Sequence, residues 1–125
     1  NKNTNYVKKE GDNIYYKNKN KRHFRGKKTK VKGEVVLHPH YIVGEDEKTY
    51  SSIGITHNPK QDEKHRNYLL QNNPNRNDTR QSYMKKNIET SNKYFYTFYP
   101  YKNYKLSKED EKYVDNLIKK KTNKK

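Results

Sequence analysis

Between Gly33 and Asn58 the chain reads GEVVLHPHYIVGEDEKTYSSIGITHN, and here apolar and polar positions alternate most regularly. Two apolar runs, Val35–Leu37 with Tyr41–Val43 and then Tyr50–Ile55, flank the acidic turn Gly44–Lys48. A period of two in residues rich in Val, Ile, Thr and Tyr, broken by a Gly-led polar cluster, predicts an antiparallel hairpin. Because side chains alternate along a strand, Val36, His38, His40 and Ile42 share one face of the first arm. Ile53, Ile55 and His57 share one face of the second. Pro39 has no N–H to give a ladder, so it predicts an edge strand, a strand start or a bulge.

Outside the hairpin the pattern is sparser. Asn13–Tyr16 is a short strand or the seed of a helix, and Asn58–Glu63 is a loop. Arg66–Gln71, around Tyr68, Leu69 and Leu70, predicts a third strand, and Gln81–Ile88, around Tyr83 and Met84, a further one. Asn72–Thr79, reading NNPNRNDT, is turn chemistry, since Asn and Asp bond their own backbone and Pro74 fixes φ. The clearest helix follows Ser107. That serine caps it with Asp110 three residues on, and Glu109–Glu111 and Lys119–Lys121 match the two ends of the macrodipole. Tyr113, Val114, Leu117 and Ile118 make one stripe that should pack on the sheet.

These elements predict an α+β fold: a small antiparallel β-sheet, a C-terminal helix packed on it, and a basic N-terminal arm. The expected organisation is residues 1–33 as basic polar arm, 34–121 as a single domain and 122–125 as basic tail.

Composition changes this picture in two ways. With 27% hydrophobic residues and a mean hydropathy of -1.67, the core must be small. Thirteen Tyr and three Phe supply much of its area, each buried ring removing roughly 150–250 Å² from water. Tyr94–Tyr104, reading YFYTFYPYKNY, is accordingly either core or a surface on which bases stack. Cysteine is absent, which excludes disulfides, thiolate zinc sites and a thiol nucleophile. No apolar run approaches the ~18 residues of a membrane span, and no signal-peptide core opens the sequence. The expectation is a cytoplasmic protein without a membrane partner.

Charge points to the partner. Lys and Arg outnumber Asp and Glu 30 to 14, a net +16 that suits nucleic acid, an anionic membrane or an acidic protein. Lysine-rich, asparagine-rich composition is also what an AT-biased genome yields, but that bias does not create the excess over carboxylates. Lys17–Lys32 contains no acidic residue. It reads as a solvated mobile arm, or as one laid along phosphates through Arg22, Arg25, Lys27, Lys28, Lys30 and Lys32, with Phe24 stacking on a base. His40 joins this nucleic-acid-binding set.

Three of five histidines, His38, His40 and His57, lie on the hairpin. An H-x-H pair plus a third His meets the ligand count of an open zinc site. Pro39 and the lack of a nearby carboxylate weigh against it, so no metal and no cofactor is expected. They could equally satisfy hydrogen bonds at strand ends. A third reading is metal-free RNA cleavage, which needs a proton acceptor, a proton donor and cations on the phosphate. Histidine titrates near neutrality and arginine grips phosphate bidentately. The candidates are His38, His57, Arg80 and Tyr83.

The segments KGEVVLHPHY (Lys32–Tyr41), IGITH (Ile53–His57) and NPNRNDTRQSY (Asn73–Tyr83) resemble those of small proteins carried by mobile elements of low-GC Gram-positive bacteria. Their layout is reminiscent of the RelE/barnase/EndoU-like ribonuclease toxins, over roughly Lys30–Ile118. The resemblance implies a toxin-like endoribonuclease in which His38, His57, Arg80 and Tyr83 act on RNA. Such folds commonly open with a helix, whereas here the evident helix comes last. Beside this stand two alternatives. One is a non-catalytic nucleic-acid-binding protein. The other is a basic interaction module for an acidic partner, such as an antitoxin or a nucleic-acid enzyme that it inhibits.

Overall fold

Two arms of alternating residues do pair, and a sheet grows outward from them. The computed structural model describes residues 14–59 and 66–123. Its strands are β1 (His23–Val31), β2 (Glu34–Glu45), β3 (Thr49–Thr56), β4 (Tyr68–Leu69) and β5 (Tyr83–Asn92), followed by the helix α1 (Lys108–Asn123). All neighbours are antiparallel, in the order β1-β2-β3-β5-β4. The α+β architecture, with its antiparallel sheet and C-terminal helix, is as the sequence pattern predicts.

The expected mobile arm is the main correction. From His23 to Val31 it is a sheet strand, paired with β2 from His23↔Ile42 to Val31↔Glu34. Lys32 and Gly33 join the two strands with φ of 52° and 83°, the double positive-φ geometry of a tight hairpin turn. Residues 1–13 of the arm, 60–63 of the loop and 124–125 of the tail lie outside the described residues. Thr122 and Asn123, expected as tail, continue α1.

β2 is an interior strand, so Pro39 needed an explanation other than an edge. It pairs with Gly26 of β1, and the β2–β3 register begins only at His40↔Gly54. Residues 34–39 therefore meet β1 alone, and the missing N–H breaks no bond toward β3. The outcome is a two-stranded ribbon, β1 with the first half of β2, projecting past the rest of the sheet.

Both sheet faces are covered. Phe24, Tyr41, Val43, Ile53, Ile55, Met84 and Ile88 meet Val114 of α1 and Leu106 before it. Tyr113, Leu117 and Ile118 pack at the edge of that core, which is the predicted stripe. Each fully buried aliphatic there contributes roughly 1.5–3 kcal/mol. Ser107 Oγ accepts from Asp110 N–H at 3.1 Å, as expected of the cap. Asp110 itself is fully buried and turns to β4, accepting from Gln71 N–H and the Tyr68 hydroxyl. On the other face Ile42, Tyr50 and Tyr96 form a second cluster with Tyr16 against it. Ile14–Tyr16 is neither strand nor helix; Tyr16 N–H donates to Val43 O at 2.9 Å. The segment runs so close to Gly44 that a Cβ there would sit 1.6 Å from the Ile14 carbonyl oxygen.

Candidate nucleic-acid interface

Register decides what the hairpin histidines can do together. His40 lies opposite Gly54, so its face of β2 is the Gly54 face of β3. Ile53 and Ile55 occupy the other face, in the helix-side core. His38 follows His40: its Nδ1 is 3.0 Å from Thr29 Oγ1, on the side of β1 that also carries Lys27. Alternation thus places His38 on the His40 face of β2, whereas His57 lies one residue past the end of β3, free of the strand's alternation.

His40 is not a phosphate ligand. It is buried, with Nδ1 2.9 Å from Ser52 Oγ, and that hydroxyl lies 2.9 Å from the Tyr96 hydroxyl. Burial lowers its pKa to about 4; Glu89 opposes this, while Lys27, Lys85 and His38 add to it. A neutral imidazole therefore sits in a core of hydroxyls.

Much of the expected basic set is structural. Phe24 is buried at the centre of the helix-side core, packed on Tyr41 and Tyr104, and cannot stack on a base. Arg22 has a nearly buried side chain and donates to Glu111 at 3.0 Å and Asp115 at 2.9 Å. Those carboxylates stand 89 and 93 residues away, so no local pattern announces them. Lys27 is paired with Glu89. Arg25 donates to the Thr97 and Phe98 carbonyls and to His23 Nε2, and lies over the Tyr50 ring.

Lys28, Lys30 and Lys32 remain. All three are exposed on the projecting ribbon, and none makes an ion pair among the described residues. Lys28 Nζ stands 4.8 Å from the Tyr94 ring centroid. The aromatic stretch divides between the two uses its composition allowed. Tyr96 belongs to the second cluster and Tyr101 and Tyr104 pack against the helix-side core, whereas Tyr94, Phe95, Phe98 and Tyr99 are exposed.

A cleft of about 640 Å³ opens between the middle of β2, the end of β3 and the turn before β5. His38, His57 and Arg80 all line it, with Leu37, Pro39 and Tyr104. The backbone carbonyl of Gln81, 2.9 Å from His57 Nδ1, can only accept, so that nitrogen carries a proton and the lone pair of the neutral ring is on Nε2. Arg80 is held by Asp78 through Nε and Nη2, the latter at 2.6 Å. This pairing keeps Asp78 well below the usual carboxylate range and raises the guanidinium further. Asp78, two residues before Arg80 in a turn, was legible from spacing but not singled out. Tyr83 does not line the cleft. It alternates with Met84, whose side chain is in the helix-side core, and its hydroxyl lies 3.4 Å from Gln81 Oε1. Burial raises the Tyr104 pKa and, with it, that of Tyr101.

Among the described residues no group of three His, Asp or Glu side chains is arranged to hold a metal ion. None of the described helices is long and apolar enough to cross a membrane. Compared with protein-family models, curated proteins and solved structures, the chain matches none of them.

Proposed function

We propose that this protein binds the sugar-phosphate backbone of a nucleic acid, RNA in the first instance, along the β1–β2 ribbon. The observation that carries the reading is a difference in pairing. Carboxylates of the folded body, Glu45, Glu89, Glu111 and Asp115 among them, are already engaged by cations or hydroxyls. Lys28, Lys30 and Lys32, by contrast, project into solvent on a ribbon whose one carboxylate is Glu34. Within a chain of net charge +16, the ribbon thus offers three exposed lysines with no ion-pair partner among the described residues, a track that a polyanion can follow. Titrating labelled RNA with the full chain at several salt concentrations tests it. The logarithm of affinity should fall linearly with the logarithm of salt, by about 0.7 per phosphate neutralised on a single strand. Lys30→Gln with Lys32→Gln should flatten that slope; an unchanged slope rejects the ribbon as the contact.

A second reading, cleavage of the bound RNA without metal, is supported by the shared cleft of His57 and Arg80. His57 Nε2 would take the 2′-hydroxyl proton and Arg80 would steady the charged phosphorane. His38 lines the same cleft and would be the partner of His57, whereas Tyr83 does not line it. RNA incubated with the protein in EDTA should be cut by wild type and not by His57→Ala; intact RNA in both cases leaves binding alone.

A further inference from the structure

A chain with so few apolar residues leaves four large aromatic side chains in solvent. Tyr94 is 73% exposed, Phe95 44%, Phe98 83% and Tyr99 75%. The backbone that carries them is not loose. Asn92 Oδ1 accepts from Tyr94 N–H, and Tyr96 N–H closes the turn on Lys93 O. Thr97 N–H donates to Gly26 O at 2.8 Å and Tyr101 N–H to Phe24 O at 2.7 Å, which fastens the segment to the outer rim of β1. Arg25 holds the Thr97 and Phe98 carbonyls, and Thr97 Oγ1 donates to Tyr99 O. Rings on a fixed backbone lose little further entropy on contact with a ligand, which favours binding.

From this geometry we infer that residues 94–99 form a stacking platform for unpaired bases, so that the bound nucleic acid is single-stranded. The inference rests on the ribbon reading above and names the class of strand. Stacked bases in a duplex offer no free faces, whereas an unpaired base can lie on an exposed ring. Lys28 ties platform and ribbon together: it sits over the Tyr94 ring and its ammonium reaches toward the Tyr94 carbonyl at 3.4 Å. A phosphate track beside aromatic faces is the arrangement by which proteins hold single strands without reading sequence. The same rings without adjoining cations would fit a protein or a second copy of this chain equally well; the lysines select a polyanion.

The test compares a fluorescein-labelled 15-mer of uridine with a duplex RNA of equal phosphate number, by anisotropy at one salt concentration. Wild type should prefer the single strand. Phe98→Ala with Tyr99→Ala should weaken single-strand binding at least tenfold, since each stacked base is worth roughly an order of magnitude in affinity. Duplex binding should stay within twofold. Both side chains are in solvent, and circular dichroism checks that the variant keeps its sheet. Single-strand affinity within twofold of wild type overturns the platform. If Lys30→Gln with Lys32→Gln still weakens RNA binding, the ribbon reading survives that result. Failure of wild type to bind either RNA removes both. A dimer abolished by the alanine pair, with single-strand affinity unchanged, makes the rings a self-contact and overturns the inference.

Discussion

His40 and Ser52 face each other across β2 and β3, with the imidazole Nδ1 2.9 Å from the serine hydroxyl. Around them stand Lys27 on β1, His38 on β2, and Glu89 and Lys85 on β5. The cavity suits a neutral ring. Burial, the largest influence, and the two lysines hold the His40 pKa near 4, below the ~6.5 of an unfolded chain. The unfolded state therefore binds the proton first. Stability from this group is fully present above pH ~6.5 and is lost as pH falls toward 4. Urea unfolding between pH 7 and 4 should show a falling midpoint, and His40→Gln should flatten its upper part. A midpoint independent of pH over that window refutes the assignment.

Arg22 should behave as a structural residue. Removing it leaves Glu111 and Asp115 without their buried partner, while Tyr41 still donates to Glu111. Both carboxylates are 31% exposed and Asp115 keeps Lys19 at 2.6 Å, so Arg22→Ala should cost less than a fully buried pair, about 1–2 kcal/mol, read as a lower urea midpoint. Where the variant is still folded, its RNA affinity should equal that of wild type. A specific loss of RNA binding without loss of stability would return Arg22 to the interface.

Asp110 offers a second test of how α1 is fastened. Its carboxylate holds Gln71 N–H at 3.0 Å and the Tyr68 hydroxyl at 2.9 Å. The Tyr68 ring in turn stacks on Tyr113 at 3.9 Å. Asp110→Ala strands a buried donor and should cost about 2 kcal/mol. Hydrogen exchange at Gln71 should accelerate more than exchange in β2. Equal acceleration everywhere would mean the change is global and not local to this fastening.

Gly44→Ala should be among the more damaging small substitutions. The Ile14 carbonyl is backbone and cannot rotate away from the new methyl, 1.6 Å distant in the unrelaxed geometry. Either the 14–16 segment lifts or β2 shifts, at about 2 kcal/mol. Chemical shifts of Tyr16, whose hydroxyl donates to Glu45, report which. Unmoved Tyr16 resonances together with unchanged stability would contradict the close approach.

The hairpin and α1 were readable because alternation and a helical stripe are local properties of Val35–Ile55 and Tyr113–Ile118. β1 was hidden for a physical reason. Its buried side is only Phe24 and Gly26, and lysine or arginine fills four of the other seven positions, so charge masked the period. Its strand character comes from β2 and from the 96–101 segment, neither adjacent in sequence. The histidines depend on more than alternation. The shared face of Val36, His38, His40 and Ile42 was readable on the first arm, but what stands opposite it depends on register, and a slip of one residue reverses the answer. That His38 and His57 line one cleft follows from where β3 ends beside the β1–β2 ribbon, which local spacing does not show. Arg80 beside His57 follows from the turn that brings β5 against β3, which no spacing rule reveals.

Thr97 and Tyr101 occupy hydrogen-bonding positions that a foreign strand would otherwise claim on Gly26 and Phe24. The next exposed stretch of that rim carries Lys28 and Lys30, whose like charges repel an incoming copy. Crowding this protein along one polyanion should consequently produce beads on a string and no fibrils, because neither half of the rim can seed growth.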